Sequence, residues 1–222
     1  MSKGKFDLHV HTKYSKCGLE SPEKILEQAK ELKLAGIAIT DHDLAKSFPD
    51  FKSLLKEKGI IVVFGEEVSI IEGGKCFGHL LCYFLQEEIK PASFGEIIDA
   101  AKSQNALTSI AHAFDFARTG FRKDLGKEFQ KLDAIEAFNG RARLGDANKK
   151  AREFAEKHKM PFTAGSDAHA LAEIGNAGIE CEASSEEELR QAILKKKCGI
   201  FGKKTTSPIM QTYYSAIARL RH

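Results

Sequence analysis

No run of apolar residues in this 222-residue chain approaches the roughly 20 needed to span a bilayer, so no contact with a membrane is expected. The start, MSKGKFDLHVH, lacks the apolar stretch of a secretory signal, and a cytoplasmic protein is expected. Cysteine is scarce and shows no pairing pattern. Cys17, Cys76, Cys82, Cys181 and Cys198 are odd in number and none belongs to a CxxC. Reduced thiols fit that better than a disulfide framework or a zinc knuckle. An excess of one charge is also missing. At +3 the net charge is too small to indicate a nucleic-acid surface by itself, although it suits an anionic substrate. No GxGxxG follows the first strand-like segment, which weighs against an open dinucleotide-binding sheet. No linker, compositional break or repeat divides the chain, and residues 1–222 read as one domain.

What is present is an alternation of strand and helix. After KFDLHVH comes SPEKILEQAKELKLAG, where Ser21 is a cap candidate, Pro22 suits the first turn, and Ile25, Leu26, Ala29 and Leu32 share a face. GIAIT, IIVVFGEEV, FGHLLCYF, LTSIAH, DAIEAFN, PFTAG and NAGIEC read as strands. FPDFKSLLKEKG, SFGEIIDAAKSQ, KDLGKEFQKL, LGDANKKAREFAEKH and SSEEELRQAILKKK read as helices, and SPIMQTYYSAIARL as a closing helix. Seven or eight such alternations with short links predict an α/β fold on a parallel sheet, closed as a barrel or open.

The ionisable residues fall in a pattern on these strands. In an extended strand Asp7, His9 and His11 share one face, and Phe6, Leu8 and Val10 the other. His9 and His11 end the first strand. Asp41 and His42 follow GIAIT, Glu66 and Glu67 follow IIVVFG, and His79 opens HLLCYF. His112 ends LTSIAH, while Asp167 and His169 follow PFTAG. Six of the eight histidines stand at strand ends; only His158 and His222 do not. In a β/α barrel such ends converge on one mouth. Imidazoles and carboxylates gathered there need compensation, which divalent metals supply, with Zn, Mn and Fe the natural partners of these donors. Of Glu66 and Glu67, neighbours on a strand, one must face away. A carboxylate such as Glu67 would bridge two ions about 3.5–4 Å apart.

The pieces DLHVHTKYS, AITDHD, GEEVS, GHLLCYF, IAHAF and AGSDAH, in that order, resemble the PHP (polymerase and histidinol phosphatase) superfamily, in its stand-alone phosphoesterase type. Residues 133–205 resemble the associated carboxy-terminal portion. The resemblance implies a distorted (β/α)7 TIM-like barrel holding two or three divalent ions. It assigns His9, His11, Glu67 and Asp167 to one ion, Glu67, His79 and His112 to a second, and His42 and His169 to a third. It prefers Glu67 to Glu66, since one residue separates the family's glutamate from its glycine, here Gly65. The chain departs from its relatives at SKCG, where Lys16 and Cys17 stand in place of an aspartate that holds the third ion. Lysine cannot ligate while protonated; a Cys17 thiolate can, and it favours zinc.

Such a cluster suits phosphoester hydrolysis, with Glu67 and Asp167 central and, if the third ion is absent, His42 or His169 placed to donate a proton to the leaving group. Asp7 and Asp41 are candidates to orient the imidazoles through hydrogen bonds. Arg118, Arg122, Arg141 and Arg143 lie in segments after strands, where their forks match phosphate oxygens. A nucleotide or the 5′ end of a short oligonucleotide is the expected substrate. Histidinol phosphate, an amide, or a regulatory role without catalysis are the alternatives.

Overall fold

The structure is a computed structural model that describes residues 3–55, 59–118, 128–202 and 206–221. Among the described residues nine strands form one sheet. In chain order they are β1 (Gly4–Val10), β2 (Gly36–His42), β3 (Ile61–Glu72), β4 (Lys75–Tyr83), β5 (Leu107–Ile110), β6 (Ala134–Asn139), β7 (Phe162–Gly165), β8 (Ala177–Cys181) and β9 (Gly199–Gly202). The helices are α1 (Pro22–Glu31), α2 (Phe48–Leu54), α3 (Phe94–Ser103), α4 (Ala147–His158), α5 (Glu186–Leu194) and α6 (Pro208–Arg219). Among the described residues no helix is long and apolar enough to cross a membrane.

The sheet runs β7-β6-β5-β4-β3-β2-β1-β8-β9. Its edge strand β7 and its inner strand β1 are then joined just past the strands. His11 N–H donates to Ala168 O at 2.9 Å and Ala168 N–H to His9 O at 3.1 Å. Strands β1 to β7 thus make a nearly closed barrel, with β8 and β9 added antiparallel on the outer edge of β1. The expected barrel is present, but its sheet is mixed rather than parallel. Strand β4 runs antiparallel to both β3 and β5. The reason is local: Gly73 and Gly74, both at positive φ, close a two-residue hairpin between Glu72 and Lys75, leaving no length for a crossover helix. Reversal brings His79, midway along β4, to the mouth where the parallel strands end. Strand β9 goes beyond the sequence reading. Of the helix expected over KDLGKEFQKL, a single 3₁₀ turn at Glu128–Lys131 forms, and residues 119–127 lie outside the described residues.

The alternation on β1 is broken, and this governs the site. Asp7 pairs with Ile37 but Val10 pairs with Ile39, so three steps along β1 match two along β2. The extra residue is a β-bulge, which re-aims the side chains that follow. Phe6 and Leu8 pack into the barrel core with Val63, Leu81 and Tyr83, whereas Val10 packs outward with Ile37, Ile39 and α1's Ile25 and Leu26. His9 and His11 therefore turn inward while Asp7 lies on the other side. There it accepts from Ser166 N–H (2.8 Å), Ser166 Oγ (2.6 Å) and Gly175 N–H (2.8 Å). The expected shared face of Asp7, His9 and His11 is corrected accordingly: Asp7 fixes the β7–β8 connection and does not orient an imidazole side chain.

Candidate metal centre

Glu67 occupies the middle of the mouth with its two oxygens facing different histidines. Oε2 lies 3.1 Å from His9 Nε2, 3.2 Å from His11 Nε2 and 3.4 Å from His42 Nδ1. Oε1 lies 2.8 Å from His112 Nε2 and 3.2 Å from His79 Nδ1. Asp167, held at positive φ just after β7, brings Oδ1 to 3.4 Å from both His11 Nε2 and His169 Nδ1. Glu66, its neighbour's opposite on β3, faces away from the mouth and accepts from Ile89 N–H at 2.9 Å.

Electrostatics divide these groups. Burial opposes charge on Glu67 and Asp167. Nevertheless His42, His79 and His9 hold Glu67 well below the usual carboxylate range, and Arg118 and His9 do the same for Asp167. Burial pushes His79 down to about 3 and His169 well below the ordinary imidazole value, whereas against burial the neighbouring carboxylates of Asp167 and Glu67 raise His9 and His11, and Glu67 raises His42. His9 Nδ1 donates to Glu136 Oε1 at 2.8 Å, which leaves Nε2 to face the cluster. His169 Nδ1 likewise donates to Asp167 O at 2.8 Å.

A metal ion fits this donor set. His79 Nδ1 and Asp167 Oδ1 are buried beside neighbours at ion-pair distance yet make no hydrogen bond. Convergent lone pairs of that kind are satisfied by a cation. Among the described residues the ligand atoms form three overlapping groups: His9, His11 and Asp167; His42, Glu67 and His79; and His11, Cys17, His42 and His169. Every histidine, glutamate and aspartate that the sequence placed at strand ends for metal binding meets here. Asp41, like Asp7, does not take the orienting role expected of it: it bonds Thr12, Ser15 and Ser47 rather than an imidazole.

The arginines divide. Arg118 pairs with Asp167 Oδ2 at the rim. Arg141 is buried near His169, with Nε 3.4 Å from Glu173 Oε1 and Nη1 without a hydrogen bond. Arg143 Nε donates to Gln211 of α6 at 2.8 Å. Arg122 lies outside the described residues.

Glu136 and Asn139 were not anticipated. Glu136 accepts from His9 Nδ1, and its other oxygen from His112 N–H (2.7 Å) and Asn139 Nδ2 (3.1 Å). Asn139 Nδ2 also reaches Asp167 Oδ2 at 3.1 Å. The available signal was an acid inside the otherwise apolar strand DAIEAFN. Partners that orient a metal-binding imidazole are worth about 10–100-fold in metal affinity. Glu136→Gln, which keeps the shape but loses the charge, is expected to weaken zinc binding by about that factor. Competition with a chromophoric chelator measures it, and unchanged affinity would remove Glu136 from the centre.

Residues 7–140 match the PHP domain family and residues 145–198 the PHP-associated family. An uncharacterized protein of Methanocaldococcus jannaschii is 37% identical over 186 residues, 79% of this chain and 70% of that one. A two-domain protein of Bacteroides vulgatus containing a predicted PHP-like metal-dependent phosphoesterase superposes with a TM-score of 0.74 at 17% identity, over 96% of this chain and 69% of that one. The lesion-specific endonuclease PfuEndoQ of Pyrococcus furiosus superposes with a TM-score of 0.69 at 21% identity, over 89% of this chain and 57% of that one. At such identities the two structures speak for the fold alone. The match over residues 7–140, more than half of the chain, carries the conclusion: this protein belongs to the PHP superfamily.

Proposed function

We propose that the protein is a metal-dependent phosphoesterase acting on a phosphomonoester or phosphodiester, with a nucleotide or an oligonucleotide 5′ end as the substrate class. The observation that carries the reading is Glu67, one carboxylate whose two oxygens face two separate sets of imidazoles. That is the arrangement of a group spanning two ion positions. Divalent ions bound there would supply acidification of a water to near neutrality and neutralisation of charge on phosphoryl oxygens. His9, His11 and Asp167 would hold one ion, His79 and His112 a second with Glu67 between, and His42 and His169 a third.

The remaining steps belong to the chain. Arg118, paired with Asp167 at the rim, and Arg141, near His169, supply guanidinium groups beside the cluster, suited to phosphate oxygens. With no third ion bound, His42, half-buried and facing Glu67, would instead be free to give a leaving alkoxide its proton. That PfuEndoQ is an endonuclease supports the nucleic-acid end of the substrate range.

The experiment is phosphate release from p-nitrophenyl phosphate, nucleoside monophosphates and 5′-phosphorylated oligonucleotides, with protein loaded separately with Mn, Zn and Fe. Turnover that a chelator abolishes and metal restores is expected. Folded, metal-loaded protein that leaves every phosphate intact would overturn the reading. Within the same assay, Arg118→Ala is expected to raise KM about tenfold with little loss of kcat, the value of one charge-assisted hydrogen bond of ~1.5 kcal/mol. A fall in kcat alone would instead place Arg118 on the transition state.

A further inference from the structure

The segment that follows β1 is built to hold Cys17 in one place. Asp41 gathers it, accepting from Thr12 N–H (2.7 Å), Thr12 Oγ1 (2.8 Å) and Ser15 Oγ (2.7 Å). Ser15 Oγ in turn accepts from His42 N–H at 2.9 Å, which ties the loop to the end of β2. Gly18 closes the turn, since a Cβ there would lie 2.1 Å from Thr12 O. The result sets the Cys17 sulfur beside three imidazoles. Sγ and one ring nitrogen each of His11, His42 and His169 all lie within 4.8 Å of one another. Cys17 is half-buried, so an ion can reach it, while the neighbouring Lys16 is exposed and contributes no donor.

We propose that Cys17 is a metal ligand, completing with His42 and His169 a zinc-preferring position at the rim of the cluster. The inference rests on the reading of the mouth as a metal centre. His11 Nε2 is turned to Asp167 and Glu67, which assigns it to the neighbouring ion and leaves three protein ligands here. Three ligands and one open position are the pattern of a zinc site that also meets substrate. A thiolate carries the same single charge as a carboxylate, so the electrostatic balance of the mouth is kept. Its softness is what changes. Imidazole and carboxylate positions accept manganese or iron, whereas a sulfur donor selects zinc. The centre would therefore hold unlike ions, with the thiophilic one at the solvent side, and oxidation of one sulfur would empty that position alone.

Cobalt(II) tests this without reference to turnover, because a sulfur ligand gives it a near-ultraviolet charge-transfer band. Metal-stripped full-length protein is titrated with Co(II), and the band is expected for the wild type. It should be lost in Cys17→Ser and kept in Cys76→Ser, whose thiol sits 3.9 Å from His79 Nε2 and is the alternative source. Zinc should displace the cobalt and bleach the band. Cys17→Asp preserves the charge, so it should bind cobalt with ligand-field absorption only; it covers the case in which the serine variant folds poorly. No band in folded, cobalt-loaded wild type, or a band that survives in Cys17→Ser, overturns the assignment. Phosphoesterase activity without the band would sink the Cys17 proposal and spare the proposed function. A band without activity on any phosphate would do the reverse.

Discussion

Glu67→Gln is expected to lower kcat/KM by at least about a thousandfold, or ~4 kcal/mol of transition-state stabilisation. The amide keeps the size of the side chain but offers one acceptor where the carboxylate offers two. Its NH2 group would face either the His9–His11–His42 side or the His79–His112 side, in each case against nitrogens that must ligate. Loss of the negative charge also removes what draws cations into the buried mouth, so bound metal per chain should fall in the same variant. Elemental analysis after dialysis reads that directly. Glu66→Gln is the internal control. Glu66 faces away from the mouth, and burial pushes its carboxyl up to about 8, so near neutral pH it is already a protonated acid. An amide mimics that acid and can still accept from Ile89 N–H, and activity should remain within about threefold. The sign of the pH effect follows. A carboxyl whose pKa is raised on folding costs stability as pH climbs from its ordinary value of 4.5 towards 8. Wild type should lose stability over that window and Glu66→Gln should lose less. If Glu66→Gln were as inactive as Glu67→Gln, the orientation of β3 at the mouth would be wrong.

The difference between these two glutamates shows what a sequence discloses and what it withholds. Strand ends carrying His, Asp and Glu were legible because ionisable residues break apolar runs at fixed places; their alternation with helices left the sheet closed or open, and the barrel was what the family resemblance implied. The facing of β1 was not. Whether His9 shares a side with Asp7 depends on a bulge set by pairing with β2, and a bulge leaves no mark on composition. The reversal of β4 was legible in principle, since Gly73-Gly74 between two strand-like runs signals a hairpin. Strand β9 has four residues, two of them glycine, and exists by virtue of its partner β8. Glu136 reads as one more strand residue until β6 and β1 are brought together. The position of Cys17 hangs on Asp41, Ser15 and Gly18, whose contacts span 29 residues or fewer yet cannot be read without the loop's path.

Gly165→Ala is expected to destabilise the fold by about 3 kcal/mol or more, lowering Tm by roughly 6–12 °C for a chain of this size. Gly165 ends β7, where the barrel closes onto β1. A Cβ there would stand 2.3 Å from His9 Cβ, 2.5 Å from His9 N and 2.9 Å from His9 Cα. None of these is the far end of a flexible side chain. Strand β1 is pinned by β2 on one side and β8 on the other, so it cannot move aside without breaking one of the ladders. The joining bonds between His9, His11 and Ala168 would lengthen first. Because the displaced atoms belong to His9, the fraction of Gly165→Ala that folds should also bind metal more weakly. Gly145→Ala is the matched control: a Cβ there meets nothing within 4 Å, and its effect should stay within about 0.5 kcal/mol. Thermal melts of both variants, with and without saturating zinc, separate the two consequences. A Gly165→Ala protein that melts within about 2 °C of wild type and binds zinc normally would show that β7 does not close against His9. The donor set would then have to assemble without that seam. If instead zinc restores little of the lost Tm, the seam and the metal centre share His9 as a common structural element, and the closure of the barrel is what aims the first ligand.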